Sequence, residues 1–141
     1  MITIDIKTQT IVFKDKVYQI STAKNGVGER ENSFKTPKGK HIICEKIGKN
    51  MPKFTIFKAR ESVGIWDEKL TKKDLILSRI LWLDGIESFN KNSKQRYVYI
   101  HGTNDEDNIG KPISKGCIRM KNDDIIEFFE LVEVGEIMII K

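Results

Sequence analysis

The sequence predicts a mainly β fold, either a β-sandwich or a partial barrel, with one flanking helix near the C-terminus. Short stretches in which apolar and polar residues alternate, the pattern of half-buried strands, recur along the chain. One stretch near the C-terminus instead has apolar residues at helical spacing. The chain has 141 residues, of which 39% are hydrophobic, enough for one core. We therefore expect a single domain over residues 1–141, and the composition excludes disordered and fibrous proteins.

The first 60 residues carry most of the strand signal. Ile2, Ile4 and Ile6 alternate with polar residues, which predicts a first strand with one buried face. Further strands are predicted at Thr10–Phe13 and at residues 17–21, 40–46 and 53–58. A short polar turn separates the second and third of these strands, so the chain is expected to begin as a meander or hairpin.

Two long polar segments interrupt the strand pattern. Residues 22–39 hold few apolar residues and three glycines, and residues 61–73 are polar without a clear period. Loops of this length in a compact domain are usually functional. We therefore expect one or both segments to form a wall over a cleft.

The second half of the chain predicts two more strands, a helix and a last strand. Residues 79–86 form an apolar run that ends in Asp-Gly, and residues 95–101 alternate so that His101 lies at the end of a strand. Asn122 is expected to cap a helix that Gly135 ends. The helical spacing involves Ile125, Phe128, Phe129 and Val132. Residues 136–140 close the chain as a strand.

Charge and hydropathy limit the partners. The 25 Lys and Arg residues exceed the 20 Asp and Glu residues, and they are dispersed rather than clustered. Such a pattern is typical of a solvated surface, so we expect no nucleic-acid partner, while the net charge of +5 favours an anionic substrate. No apolar run approaches the roughly 20 residues of a membrane span. The first strand starts without a signal peptide, which predicts a cytoplasmic protein if the chain is complete and an envelope or periplasmic one if a signal was removed.

The chemistry of the chain points to one histidine and one cysteine. His101 and Cys117 stand at the two ends of a turn-rich loop, where a strand end and a following turn can bring them together. A free cysteine has a pKa near 8.5, so a neighbouring imidazole is expected to lower it and supply thiolate. Gly116 leaves the backbone N–H groups of residues 116–118 free to face an oxyanion, and Arg119 adds positive charge.

Competing interpretations of these residues are weaker. Cys44 lies in an apolar strand, where a cysteine is usually a small buried residue. A zinc site would need His41 and Cys44 together with His101 and Cys117, but the odd spacing of 41 and 44 puts those two side chains on opposite faces of a strand. The glycines of residues 26–28 lack the Lys-Ser/Thr of a phosphate loop. We expect neither a metal nor a cofactor.

Two motifs carry a resemblance to a known family. His-Gly-Thr at residues 101–103, followed by Ser-Lys-Gly-Cys-Ile-Arg-Met at residues 114–120, resembles the signature of the L,D-transpeptidase catalytic domain, also called the YkuD domain. Residues 21–26, 35–39 and 80–83 are similar to further blocks of this family in the same order. The resemblance therefore covers nearly the whole chain.

The resemblance implies a largely β fold and a cysteine enzyme of the bacterial cell wall. In that family a thiolate attacks the carbonyl of an L-configured centre in a peptidoglycan stem peptide, usually diaminopimelate at the third position. D-alanine leaves, and the thioester passes its acyl group to an amine or to water. The implied partner of this chain is thus a stem tetrapeptide or a muropeptide.

The family's functional residues map onto named positions here. Cys117 is the implied nucleophile, His101 its general base, and the carbonyl of Gly102 the group that orients the imidazole. The implied oxyanion-hole and substrate-binding residues are Gly116, Ser114, Lys115, Ile118 and Arg119. Arg119 is expected either to bind a substrate carboxylate or to brace the loop. Lys115 departs from the pattern, because the family commonly has His there.

The acceptor of the acyl group is left open by the sequence. With water as acceptor, the leading interpretation, the protein is an L,D-carboxypeptidase that trims tetrapeptides during murein recycling. With an amine, it is an L,D-transpeptidase that forms 3-3 cross-links or exchanges D-amino acids. Two other classes are weaker alternatives: an inactive module that binds wall fragments, and a redox-sensing thiol protein, which would need a second cysteine near Cys117.

Overall fold

The computed structural model describes all 141 residues and contains ten β-strands, one α-helix and a short 3-10 turn at Glu106–Asn108. The strands are β1 (Ile2–Asp5), β2 (Thr10–Phe13), β3 (Lys16–Ser21), β4 (Gly39–Ile47), β5 (Thr55–Lys58), β6 (Glu61–Ile65), β7 (Ile76–Gly85), β8 (Tyr99–Gly102), β9 (Ile118–Met120) and β10 (Ile137–Ile140), and the helix is α1 (Asn122–Leu131). The predicted mainly β fold with one helix near the C-terminus is confirmed.

Eight of the strands close into a barrel-like sheet. They follow the order β4-β10-β1-β2-β3-β9-β8-β7, and β7 pairs back with β4. The β1–β10 and β8–β9 pairs are parallel, and the other pairs are antiparallel. Closure satisfies the backbone groups that an open edge would leave exposed, and β5 and β6 extend from β7 as a hairpin. Of the two arrangements that the sequence left open, the barrel is the one observed.

The core lies between the closed sheet and the helix. Nineteen buried hydrophobic residues form one cluster, and the alternating side chains of β1, Ile2 and Ile4, belong to it. Helix α1 adds Phe128 and Phe129 from its apolar face. The ring of Phe128 meets that of Phe13 edge-on, with the ring centres 6.1 Å apart. The alternating residues of β1 and the helically spaced residues of α1, both predicted from the sequence, thus pack into the same core.

The start of α1 differs from the prediction. Asn122 is its first residue rather than its cap, and its side chain is buried. It accepts a hydrogen bond from Ser78 Oγ (2.7 Å) and donates to the carbonyl of Thr103 (2.8 Å) and to Glu106 Oε2 (3.0 Å). The same Glu106 oxygen accepts the backbone N–H of Asn122 at 2.6 Å. A carboxylate from the 3-10 turn therefore satisfies one of the free N–H groups at the helix start.

The end of α1, the start of β8 and the presence of β6 also differ from the sequence prediction. The helix ends at Leu131, before Gly135, which has φ of +92° in the turn to β10. Strand β8 begins only at Tyr99, because Tyr97 has φ of +56° and leaves the extended region. Strand β6 was not predicted, since all five of its residues are exposed and carry no alternating pattern. The ten-residue α1 is too short to cross a membrane, and no other α-helix is present.

The buried Asn122 network generates a stability prediction. Asn122→Leu keeps the size of the side chain but leaves the hydroxyl of Ser78 and the carbonyl of Thr103 without their partner, so we expect a loss of about 3 kcal/mol in the free energy of unfolding. Urea denaturation measures it. Asp123→Asn is the control, because its ion pair with Lys53 is exposed to solvent, and should cost less than about 1 kcal/mol. Equal losses in the two variants would contradict the assignment.

Candidate active site

The parallel pairing of β8 with β9 brings the two candidate reacting residues together. His101 in β8 lies opposite Arg119 in β9. Cys117 immediately precedes β9 and lies beside Tyr99, whose backbone N–H donates to its Sγ at 3.4 Å. Tyr99 and His101 share one face of β8, because side chains alternate along a strand. The register therefore places Cys117 diagonally opposite His101 on the neighbouring segment, two residues before the Arg119 that pairs with His101.

His101 is held in a defined tautomer. Its Nδ1 lies 2.6 Å from the carbonyl oxygen of Gly102, and because a carbonyl can only accept, Nδ1 carries the proton. Nε2 of the neutral ring then keeps a lone pair and can take a proton. His101 is 2% exposed, and this burial lowers its pKa, with Arg119 acting in the same direction and the Gly102 bond and Asp74 opposing it. The ring is consequently a neutral base near pH 7.

The residue after the histidine must be a glycine for steric reasons. A Cβ atom at Gly102 would lie 2.6 Å from the carbonyl oxygen of Leu77 and would also collide with the Asn122 side chain. Any larger residue would therefore push β8 away from β7 and α1. The His-Gly pair thus combines a base with the close packing that fixes its partner carbonyl.

The thiol of Cys117 is neutral in the structure. Its Sγ donates to the carbonyl of Tyr97 at 3.3 Å and accepts the N–H of Tyr99, and no hydrogen bond joins it to His101. Burial raises the pKa of this thiol to about 11; Asp74 adds to the rise, and the Tyr99 N–H and the nearby arginines oppose it. This differs from the expectation that the imidazole lowers the thiol pKa, because loss of solvent is the largest cause of the shift. The resting pair is thiol and imidazole rather than thiolate and imidazolium.

The turn before Cys117 is built around Ser114 and Gly116. Ser114 Oγ donates to the carbonyl of Cys117 and accepts the N–H of Gly116 at 3.2 Å. Gly116 has φ of +128°, a conformation that other residues rarely adopt. Of the N–H groups expected to face an oxyanion, that of Gly116 is therefore used inside the turn, whereas that of Cys117 has no protein partner. Ile118 is fully buried in β9.

Arg119 braces the site. Its side chain, 8% exposed, forms an ion pair with Asp74 and lies 3.9 Å from Asp105. Its charge is thus compensated by the protein, which supports the bracing alternative over binding of a substrate carboxylate.

Two pockets lie at the segment of residues 114–120 and share Lys115, and Cys117 lines the smaller one. The smaller, of about 240 Å³, is lined by Glu31, Asn32, Phe34, Gln95, Arg96, Tyr97, Val98, Lys115, Gly116 and Cys117. The larger, of about 830 Å³, is lined by Phe54, Trp66, Glu68, Leu70, Thr71, Lys72, Lys73, Asp74, Asn104, Asp105, Glu106, Asp107, Lys115 and Arg119. Both long polar segments supply walls, as expected from their length and composition.

The second histidine and the second cysteine have other partners. His41 bonds through Nδ1 to the Gly39 carbonyl (3.1 Å) and through Nε2 to Ser93 Oγ (2.8 Å). Cys44 is only partly buried and donates to the carbonyl of Trp82 at 3.3 Å. Neither residue lines either of these two pockets.

Comparison with known proteins identifies the family. The model of the L,D-transpeptidase catalytic domain (YkuD) matches residues 1–140. The chain belongs to this family. Two Bacillus subtilis (strain 168) proteins, named "Putative L,D-transpeptidase YkuD" and "Putative L,D-transpeptidase YqjB", are 58% identical over 43 residues and 47% identical over 45 residues. These alignments cover 30% and 32% of this chain and 26% of each relative.

Solved structures of L,D-transpeptidases share the fold. The Mycobacterium smegmatis protein superposes with a TM-score of 0.61 at 17% identity, covering 99% of this chain and 57% of that one. A mutant Enterococcus faecium enzyme gives 0.61 at 15% identity, covering 99% and 48%. At such identity the likeness concerns the fold alone. The chain spans about half the length of these two solved proteins.

Two residues outside the signature, Arg96 and Asp74, also contribute to the candidate site of this L,D-transpeptidase domain. Arg96 donates to the carbonyls of Gly28 (3.2 Å) and Lys35 (2.6 Å), and it lines the smaller pocket without a carboxylate partner. Asp74 forms the ion pair with Arg119. Neither had a local signal, since an isolated Arg or Asp in a polar stretch looks like surface. Only the pairing of distant segments identifies them.

The raised thiol pKa generates a prediction for reactivity. Thiolate is the reactive form, so the rate of Cys117 alkylation by iodoacetamide should rise about tenfold per pH unit from pH 7 to pH 10, below a pKa of about 11. The measurement uses Cys44→Ala, which leaves one thiol. A plateau reached below pH 8.5 would instead reveal a preformed thiolate and imidazolium pair.

Proposed function

We propose that this chain is a cysteine acyl-transfer enzyme acting on peptidoglycan stem peptides, with cleavage of the L-D bond between diaminopimelate and a terminal D-alanine. The observation that carries the proposal is the state of His101, whose Nδ1–H is fixed on Gly102 while Nε2 is free, one strand away from Cys117. Membership in the L,D-transpeptidase family supports the substrate class.

The acylation step begins from the neutral pair. As substrate enters, the thiol gives up its hydrogen bond to the Tyr97 carbonyl and transfers its proton to Nε2 of His101. The Nδ1–H group keeps its hydrogen bond to the Gly102 carbonyl, which stabilises the imidazolium. The sulfur attacks the carbonyl carbon, whose oxygen takes the negative charge. The unpartnered N–H of Cys117 is the donor available to that oxygen. When the tetrahedral intermediate collapses, the C–N bond breaks, and Nε2–H protonates the departing amine of D-alanine.

Deacylation uses the same base in reverse. Neutral Nε2 takes a proton from the incoming water or amine, which attacks the thioester carbonyl. The carbon–sulfur bond breaks, and the sulfur regains its proton from the imidazolium. The raised pKa of Cys117 means that free thiolate does not accumulate at either stage.

Charges in the smaller pocket support a donor that carries carboxylates. Arg96 and Lys115 line it without ion-pair partners, and Glu31 is the one acid among its lining residues. Stem peptides end in a carboxylate and carry another on diaminopimelate. Attraction over a few ångströms is worth about 1 kcal/mol in water and more where the pair is desolvated.

Water is the acceptor that we favour, which makes the domain an L,D-carboxypeptidase of murein recycling. Lys115 lies at the junction of both pockets, where its charge opposes an approaching ammonium group. Cross-linking or D-amino-acid exchange is the alternative, favoured by the carboxylates of the larger pocket. Trimming of released muropeptides fits a cytoplasmic protein, and cross-linking fits one in the cell envelope.

The nucleophile assignment predicts opposite effects at the two cysteines. Cys117→Ala should reduce tripeptide release from a disaccharide tetrapeptide to background, because no thioester can form. Cys44→Ala should stay within about twofold of the parent, because Cys44 lies outside both pockets. Mass spectrometry of the products measures both. An inactive wall-binding module would bind the tetrapeptide and release no tripeptide in any variant.

The acceptor assignment predicts the product ratio. With purified tetrapeptide and millimolar D-amino acid, tripeptide should be the main product, and Lys115→His should raise the exchanged product several-fold at pH 8 by removing a positive charge. Lys111→His is the matched control, because Lys111 is exposed and lines neither pocket. Exchanged or 3-3 cross-linked product as the main species of the parent would establish the transpeptidase alternative.

A further inference from the structure

Thr36 links the long loop of residues 22–39 to the turn that carries the nucleophile. Its side chain is fully buried, and its Oγ1 donates to the carbonyl of Gly116 (3.0 Å) and accepts the N–H of Ala23 (2.9 Å). Its backbone is held as well, by bonds to Gly26 (3.0 Å) and Gly28 (2.9 Å). The hydroxyl is therefore a fixed donor aimed at one peptide unit.

The geometry of that peptide unit couples Thr36 to the nucleophile. In a planar trans peptide the C=O and the N–H point in opposite directions, and no cis bond is present in the chain. Fixing the Gly116 carbonyl toward Thr36 fixes the Cys117 N–H on the opposite side. Glycine by itself permits other orientations of this plane, so an outside contact is needed to select one. The Cys117 N–H that results has no protein partner.

We propose that Thr36 is a positioning residue for the oxyanion hole: its hydroxyl sets the orientation of the Gly116–Cys117 peptide and thereby aims the Cys117 N–H at the oxygen of the reacting carbonyl. The inference rests on the proposed acyl-transfer function but not on any particular substrate. Thr36 acts through Gly116 and touches no reacting atom. A purely structural role would require only that the hydroxyl hold the loop in place.

Two probes of the same sulfur separate these roles. Alkylation by iodoacetamide displaces iodide at a saturated carbon and forms no oxyanion, whereas p-nitrophenyl acetate acylates the sulfur through a tetrahedral oxyanion and releases p-nitrophenolate. Thr36→Val keeps the shape of the side chain and removes the hydroxyl. In a Cys44→Ala background we expect Thr36→Val to slow acylation about 10- to 100-fold and to change alkylation less than about threefold.

Conservative and matched variants complete the test. Thr36→Ser retains the hydroxyl and should keep both rates within about threefold of the parent. Thr55→Val is the control, because Thr55 is also buried but its hydroxyl donates to the Pro52 carbonyl. Neither Thr55 nor Pro52 lines the two pockets of the candidate site. Thr36→Ala, which is smaller and cannot clash, repeats the measurement if the valine variant does not fold.

The outcomes decide the proposal without a stem peptide. Unchanged acylation in Thr36→Val, equal losses of acylation and alkylation, or a Thr36→Ser variant as slow as Thr36→Val would each overturn it. Both probes are small and independent of the natural substrate. A parent protein that acylates with the ester but releases no tripeptide would therefore refute the proposed peptidoglycan activity while still testing Thr36.

Discussion

The parallel pairing of β8 with β9 is the constraint on which the rest of the site depends. Parallel neighbours cannot be joined by a tight turn, so the chain must leave the sheet after Gly102 and return before Ile118. The connecting segment, residues 103–117, then does more than return the chain. Its Glu106 binds the first N–H of α1, its Asp105 approaches Arg119, and its last residue, Cys117, is the proposed nucleophile. The start of α1, the contacts of Arg119 and the position of Cys117 therefore all depend on this one crossover segment.

Burial by the closed barrel, rather than attraction between the pair, sets the protonation of the reacting groups. Loss of solvent is the largest cause at both sites: it lowers the pKa of His101 and raises that of Cys117. The neighbouring charges largely oppose each other, because Asp74 and Arg119 are themselves an ion pair and act on each group with opposite sign. Both groups are therefore neutral at rest, and in the proposed mechanism proton transfer accompanies the attack of the sulfur.

The sequence was sufficient wherever the determining interaction is local. The alternation of Ile2, Ile4 and Ile6 and the helical spacing up to Phe129 depend on neighbours along one element, and these elements were predicted. The predicted cap failed because the actual partner of the Asn122 N–H is Glu106, in a turn that has no periodic signal of its own. Strand β6 was missed for a different reason. All five of its residues are exposed, so no buried face requires alternating apolar residues.

The candidate site divides in the same way. The signature motif sufficed to single out His101 and Cys117, because their residue types and flanking glycines are compressed into short runs. The contact from Thr36 to Gly116 joins positions 80 residues apart, and that from Arg96 to Lys35 joins positions 61 apart. Such contacts depend on how the barrel folds the loop over the turn. The sequence pattern therefore predicted the candidate reacting residues but not the groups that orient them.

In the proposed mechanism, the fate of the acyl-enzyme depends on charges that water can screen. Lys115 is exposed, so its effect on an approaching ammonium group is on the order of 1 kcal/mol at contact distance, a several-fold bias rather than an exclusion. The carboxylates of the larger pocket pull in the other direction, but Asp74 is already paired with Arg119. Because charges of both signs line these pockets, the proposed mechanism predicts that the acceptor is selected mainly by supply. Water is abundant between two polar walls, whereas an amine must be held there long enough to meet the thioester.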